Sequence, residues 1–152
     1  MQVTRSVEIS APIGDVWAIV SDIEHSDSII SGIKKVEILE PAKGPSIVGL
    51  KWRETREMMG KDAAEVMWIT DAAEASYYET RAESHGSIYT SRIALETTSS
   101  GTKLTMDFIG QPVTFTARLL WSLTGWIAKS ALRKTIDKDL DDIKHSAEKA
   151  RS

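Results

Sequence analysis

Cysteine is absent from this 152-residue chain, which excludes disulfides, thiolate nucleophiles and sulfur-ligated metals. Histidine is scarce as well. His25 lies among Asp22, Glu24 and Asp27, His85 stands beside Gly86 in a turn, and His145 falls on the outer side of a helix. No two of them have metal-ligand spacing, so neither a metal site nor a cofactor is expected. Gly-x-Ser-x-Gly, a phosphate-cradling glycine loop and the dinucleotide-binding fingerprint are all missing. An excess of positive charge is missing too: the formal net charge is −3, which speaks against a nucleic-acid partner. Residues 1–5 have neither the basic nor the apolar segment of a signal peptide. The longest apolar run, 119–128, is broken by Ser122, Thr124 and Gly125, and spans about half of the ~20 residues a membrane helix needs. A cytoplasmic protein without an integral membrane segment is expected, as a monomer or homodimer. Its length suits one domain, 1–152.

What the chain does have is pattern. Residues 2–10 alternate apolar Val3, Val7 and Ile9 with Thr4, Ser6 and Glu8, the mark of an antiparallel strand with one wet face. Ser10-Ala11-Pro12 opens a helix with Ile13, Val16, Trp17 and Val20 on its apolar face. A second short helix ends at Gly32. Strands then follow at 33–40, 48–58, 62–70, 76–84, 87–97 and 102–110. They are punctuated by Pro41–Pro45, by Met59-Gly60, by a polar connector at 71–75, by His85-Gly86 and by residues 98–101. From Val113 to Ala150 runs one long helix. Leu119, Leu123, Trp126 and Ile127 recur at three- and four-residue steps, continued by Leu132, Ile136, Leu140, Ile143 and Ala147, so one buried face is expected throughout. Its first half is apolar almost all round. The order of strand, two short helices, six strands and long helix predicts an α+β domain: a curved seven-stranded antiparallel sheet wrapped around the C-terminal helix.

This order resembles the START-like superfamily (the SRPBCC or helix-grip proteins), and within it the polyketide cyclase/dehydrase-like branch. The resemblance spans essentially the whole chain. It is carried by Ser10-Ala11-Pro12 with Val16-Trp17 and Asp22, by Val48-Gly49 and Gly101-Thr102 opening strands, and by Lys138-Asp139-Leu140 with Ile143-Lys144 and Glu148. The second short helix departs from the branch, with Ser26-Asp27-Ser28-Ile29-Ile30 where a proline and an aromatic are common. The resemblance implies a cavity between sheet and long helix that holds a hydrophobic or lipid-like small molecule. The superfamily contains both carriers and enzymes, so fold does not choose between them.

Strand alternation assigns the cavity face. It puts inward Tyr78, Thr80, Ala82 and Ser84; Tyr89, Ser91, Ile93 and Leu95; and Leu104, Met106 and Phe108. Residues 62–70 carry apolar side chains on both faces, and Ala64, Val66 and Trp68 are taken as inward. In 48–58, Leu50 and Trp52 share a face with Glu54 and Arg56. Those two charges either pair with each other at the rim or anchor a ligand's polar groups. From the helix, Leu119, Leu123 and Ile127 are expected against core or ligand, with Phe115, Leu120 and Trp121 around the mouth. Three functions fit: a small-molecule carrier; a cyclase- or dehydratase-type enzyme in which Glu54 removes a proton beside a carbonyl and Arg56 or a tyrosine hydroxyl, Tyr89 or Tyr78, stabilises the enolate oxygen, with Asp107 a lesser candidate; or a protein-interaction module working through the apolar half of the helix.

Overall fold

The computed structural model describes residues 1–58 and 60–150; Met59, placed by the sequence in the turn with Gly60, and residues 151–152 lie outside the described residues. Seven strands and three helices follow in order. They are β1 (Gln2–Ile9), α1 (Ile13–Val20), a 3-10 helix (Ile23–Ser28), β2 (Ile33–Glu40), β3 (Lys51–Met58), β4 (Lys61–Ala73), β5 (Tyr77–Ser84), β6 (Ser87–Thr98), β7 (Gly101–Pro112) and α2 (Phe115–Lys149). The strands form one curved sheet in the order β1-β7-β6-β5-β4-β3-β2. Every neighbouring pair is antiparallel. The α+β helix-grip architecture is as expected.

Turn chemistry fixes the registers. Met58 pairs with Lys61, with Gly60 between them at φ 78°. At the β5–β6 hairpin His85 and Gly86 have φ of 51° and 73°, the two left-handed positions of a type I′ turn. Gly86 is needed twice over, because a Cβ there would lie 2.3 Å from the Thr114 hydroxyl. Its carbonyl accepts the N–H groups of Val113 and Thr114 at 2.8 and 3.2 Å. Thr114 in turn caps α2 by accepting the Ala117 N–H at 3.2 Å. The start of the long helix is thus tied to the β5–β6 turn.

The core lies where β1, β7 and α1 meet the second half of α2. Ile9, Val16, Leu104 and Leu140 are 1% exposed or less. Ile136, Ile143 and Ala147 complete the helix seam, as the sequence pattern predicts.

The first half of α2 corrects that pattern. Leu119, Leu123, Trp126 and Ile127 are 53%, 68%, 75% and 48% exposed, whereas Ala117 is buried and Trp121 turns inward. The reason is phase. Ile136 and Leu119 are 17 residues apart, which at ~100° per residue puts them about a quarter-turn out of line. Carried back from Ile136 at 3.6-residue steps, the seam falls near Leu132, Lys129, Gly125, Trp121 and Arg118, and Trp121 is the large side chain on it, lying against Gly110.

β4 needs a second correction. Met67 and Ile69 pair with Ala82 and Thr80 of β5, so they share the concave face, and Ile69 is 1% exposed. Ala64, Val66 and Trp68 therefore face outward. Trp68 borders an outer pocket of about 430 Å³ with Lys43, Val48 and Lys51, and the Lys51 ammonium lies 5.9 Å from its ring centre. A bulge between Ile69 and Asp71 then shifts the pairing so that Ala72 meets Tyr78 on the inner face.

Candidate ligand-binding site

β3 sends Trp52, Glu54 and Arg56 to the concave face because side chains two apart in a strand point the same way. Two buried charges on an apolar face require partners, and α2 supplies the decisive one. The Arg56 guanidinium donates to both carboxylate oxygens of Asp139, at 3.2 and 2.7 Å. Its Nε donates to Glu54 at 2.8 Å. The side chains of Asp139, Glu54 and Arg56 are only 7%, 13% and 22% exposed. Burial alone would lower the Arg56 pKa, but Asp139 and Glu54 outweigh it and hold the guanidinium above its ordinary value. Burial raises the Asp139 carboxyl, against the opposing pull of Arg56. Glu65 stands directly across from Glu54 in the β3–β4 register. Two carboxylates thus hold one guanidinium, and this end of the concavity is acidic. A pocket of about 200 Å³ opens beside it, between Gly32, Arg56 and Met58 on one side and Thr135 and Asp139 on α2.

The rest of the concave face is mainly apolar and aromatic. One row across the sheet runs Trp52, Met67, Ala82, Tyr89, Gly110; the next runs Ile69, Thr80, Ser91, Phe108. Tyr89 lies between Phe108 and Trp121, with ring centres 5.8 and 6.2 Å away. Trp121 reaches this stack across Gly110, where a Cβ would come within 2.5 Å of the indole. Thr80 and Ser91 hydrogen-bond to each other. Tyr78 packs edge-on against Trp17 of α1 at 6.2 Å. Burial first, and the Glu54 charge second, hold its hydroxyl well above the usual tyrosine range. The buried Trp52 indole N–H has no hydrogen-bond partner among the described residues. Met67, Tyr89, Ser91, Met106 and Phe108 are half-buried.

Of the residues the sequence nominated, Trp52, Glu54, Arg56, Tyr78, Tyr89, Ile93, Met106 and Phe108 share this face. Trp68 lies on the opposite face, and Leu119, Leu123 and Ile127 point to solvent. The nominated acid–base pair is not brought together by a hydrogen bond: Glu54 is held by Arg56, and Tyr89 is stacked between two rings. Tyr78 is the tyrosine that senses the Glu54 charge. Asp139 was missed, although its sequence position carries the signal. It lies three residues after Ile136 and four before Ile143, on the buried seam, where a carboxylate needs a partner. Among the described residues no three acidic or histidine side chains are grouped to hold a metal ion, and no helix is long and apolar enough to cross a membrane.

The sequence profile of the polyketide cyclase/dehydrase and lipid transport family matches residues 1–148. Solved structures with the same fold include a Thermus thermophilus protein, 13% identical, with a TM-score of 0.83 and 100% of both chains covered. A START superfamily protein from Mycobacterium smegmatis is 18% identical, with a TM-score of 0.77 and 98% of each chain covered. The aromatase/cyclase Zhui from a Streptomyces species is also 18% identical, with a TM-score of 0.78, covering 100% of this chain and 96% of its own. At such identities the likeness concerns the fold. No curated protein matches the sequence.

Proposed function

The chain belongs to the polyketide cyclase/dehydrase and lipid transport family, and from that premise we propose that it is a cytoplasmic carrier or binding protein for a hydrophobic or amphipathic small molecule, held on the concave face of the sheet beneath the first half of α2. The observation that carries this reading is the buried, unpartnered Trp52 N–H on a largely aromatic face whose Met67, Tyr89, Met106 and Phe108 are only half-buried. Buried hydrogen-bonding groups find partners in native structures, and a few placed polar groups in an apolar pocket is the usual design of a small-molecule site. Carboxylates outnumber the guanidinium at the polar end, so that end suits a hydroxyl or phenol donor better than a ligand carboxylate. A ligand of ~20 heavy atoms at ~0.3 kcal/mol per atom would bind with about 6 kcal/mol, in the tens of micromolar. Displacement of a lipophilic dye from the purified protein, together with native mass spectrometry, tests the reading. Dye binding that weakens in Tyr89→Ala while the fold is retained supports it; no saturable dye binding and no retained small molecule would sink it.

A second reading, a cyclase- or dehydratase-type enzyme without metal or nucleotide, is favoured by one observation: Glu54 lies inside rather than in solvent. The ion pair with Arg56 opposes its use as a free base, and Tyr78 is better placed than Tyr89 to act with it. Turnover of a polyketide-like substrate that is lost in Glu54→Gln and Tyr78→Phe, with dye binding kept, would choose this reading.

A further inference from the structure

The first half of α2 carries a large apolar stripe that nothing in the fold covers. Phe115, Leu119, Leu120, Leu123, Trp126 and Ile127 are all between 48% and 81% exposed. At ~100° per residue they occupy one continuous sector of the helix, on the side away from Ala117 and Trp121. Six large side chains in one sector exceed the scattered exposure normal for a protein surface, and such a stripe marks an interaction surface.

Charge identifies the occupant. From Phe115 to Ile136 there is no acidic residue, while Arg118, Lys129, Arg133 and Lys134 are basic. The segment is therefore +4 in a chain of net −3. Arg118 and Lys129 border the stripe on one side, and Arg133 and Lys134 follow its C-terminal end. Among the described residues none of the four has an ion-pair partner. Further along the same helix Lys138 and Lys144 are paired with Asp142 and Glu148. A two-fold contact between copies through this stripe would set the same four cations against each other. An anionic lipid surface instead receives Trp, Phe and Leu in its acyl boundary and the cations among its headgroups, as an in-plane helix does.

We propose that residues 115–134 form a docking surface for an anionic lipid membrane, lying flat in the interface with Leu119, Leu123 and Trp126 inserted. The segment is about 30 Å long, enough for an in-plane contact of some five turns. It adjoins the concave face through Trp121, so a membrane-bound molecule would sit with that face beside the lipid. The inference rests on the helix alone and not on the ligand-binding reading.

The test is co-sedimentation of the whole protein with phosphatidylcholine vesicles, with and without about 30% phosphatidylglycerol, at low salt and at about 0.5 M salt. Binding at least about ten-fold tighter to the anionic vesicles, weakened by salt, is expected. Leu123→Ser/Trp126→Ser should lose it with an unchanged melting temperature, since both side chains are exposed. Lys129→Gln/Arg133→Gln should lower binding to anionic vesicles towards the level seen with phosphatidylcholine alone. Absence of sedimentation with anionic vesicles, equal binding to both compositions, or undiminished binding by Leu123→Ser/Trp126→Ser overturns the proposal. So does a dimer seen by light scattering that Leu123→Ser/Trp126→Ser disperses while vesicles go unbound, which would assign the stripe to a second copy. Dye displacement from the concave face is measured separately, so either idea can fail without the other.

Discussion

The two halves of α2 share one helix and differ in everything around it. Residues 132–149 are fastened on several sides: Ile136, Leu140, Ile143 and Ala147 are buried. Arg5 donates to both oxygens of Asp137, at 2.7 and 2.9 Å. Arg56 does the same to Asp139. Asp142 accepts the backbone N–H and hydroxyl of Ser31, both at 2.9 Å. Glu148 accepts the Ser10 N–H at 2.8 Å. Residues 115–131 are held by the Thr114 cap, by Ala117 and by Trp121 lying on Gly110, and they expose their other large apolar side chains. A helix this long needs only part of its length to hold the fold. The part released from packing can then cover a ligand face or meet a partner. The difference is one of stability, and mutation can measure it.

The largest effect is expected at Arg56. Arg56→Met leaves Asp139 and Glu54 as buried carboxylates without their partner, a loss of about 4 kcal/mol in denaturant unfolding. Arg56→Met/Asp139→Leu should recover most of it, because a hydrophobic pair of similar volume replaces a buried ion pair at little cost. The pH dependence has a definite sign. Burial already places the Asp139 pKa above its ordinary 3.8, so the folded state takes up this proton before the unfolded chain does. The cost of the ionised carboxylate applies at neutral pH and fades as pH falls through the raised value. Removing Arg56 raises that value further, so the deficit of Arg56→Met should shrink on acidification towards about pH 4. A deficit that grows instead would show that Asp139 is not the group left unpaired.

Leu140→Ala comes next. Leu140 is 1% exposed, and a fully buried leucine cut to alanine costs about 3 kcal/mol, within a range of roughly 2–5. A loss under about 1 kcal/mol would mean that the second half of the helix is not the anchor it resembles.

The fold was legible in the sequence because its signals agreed. Alternation in β5, β6 and β7 gave the inner faces, and Gly60, Gly86 and Gly101 marked turns whose φ values are all positive. The seam of Ile136, Leu140, Ile143 and Ala147 gave the packing of the helix. Half of the site was equally plain, since Trp52, Glu54 and Arg56 follow one another at period two. The failures arose where two apolar patterns compete in one segment. In β4, Val66 and Trp68 on one face rival Met67 and Ile69 on the other, and only pairing with Ala82 and Thr80 decides. In α2 the exposed stripe holds more large apolar residues than the true seam, so spacing alone selected the wrong face. Asp139 stands on the seam that the spacing marks, but its partner Arg56 lies 83 residues away in sequence, so the pairing itself is beyond the reach of any local pattern.

A moderate effect is expected where the two halves of the helix part company. A Cβ at Gly110 would lie 2.5 Å from the Trp121 ring, so Gly110→Val must drive that ring off β7. The ring's outer edge can swing away, which holds the cost to about 1–2 kcal/mol, at the lower end of overpacking. The local consequence should exceed the global one. Trp121 would enter water, shifting its fluorescence to longer wavelength, and residues 115–131 would gain hydrogen exchange while residues 132–149 would not. Equal gains along the whole helix would show that its two halves unfold as one.

The smallest effect is the sharpest measure of the comparison. Leu123 is 68% exposed against 1% for Leu140, so Leu123→Ser removes almost no buried surface and should change stability by no more than about 0.5 kcal/mol. The chemistry of the change is harsher than leucine to alanine, so the environment alone accounts for the smaller cost. Measurement at several protein concentrations separates the two ways this could fail. A loss approaching that of Leu140→Ala at every concentration would mean the first half packs onto its own sheet, and the helix would then have one face rather than two. A loss that appears only at high concentration would mean that copies of the chain cover the stripe, because mass action ties such stabilisation to protein concentration. A flat, near-zero response leaves the stripe open in solution, as required of a surface that stabilises nothing in the isolated fold.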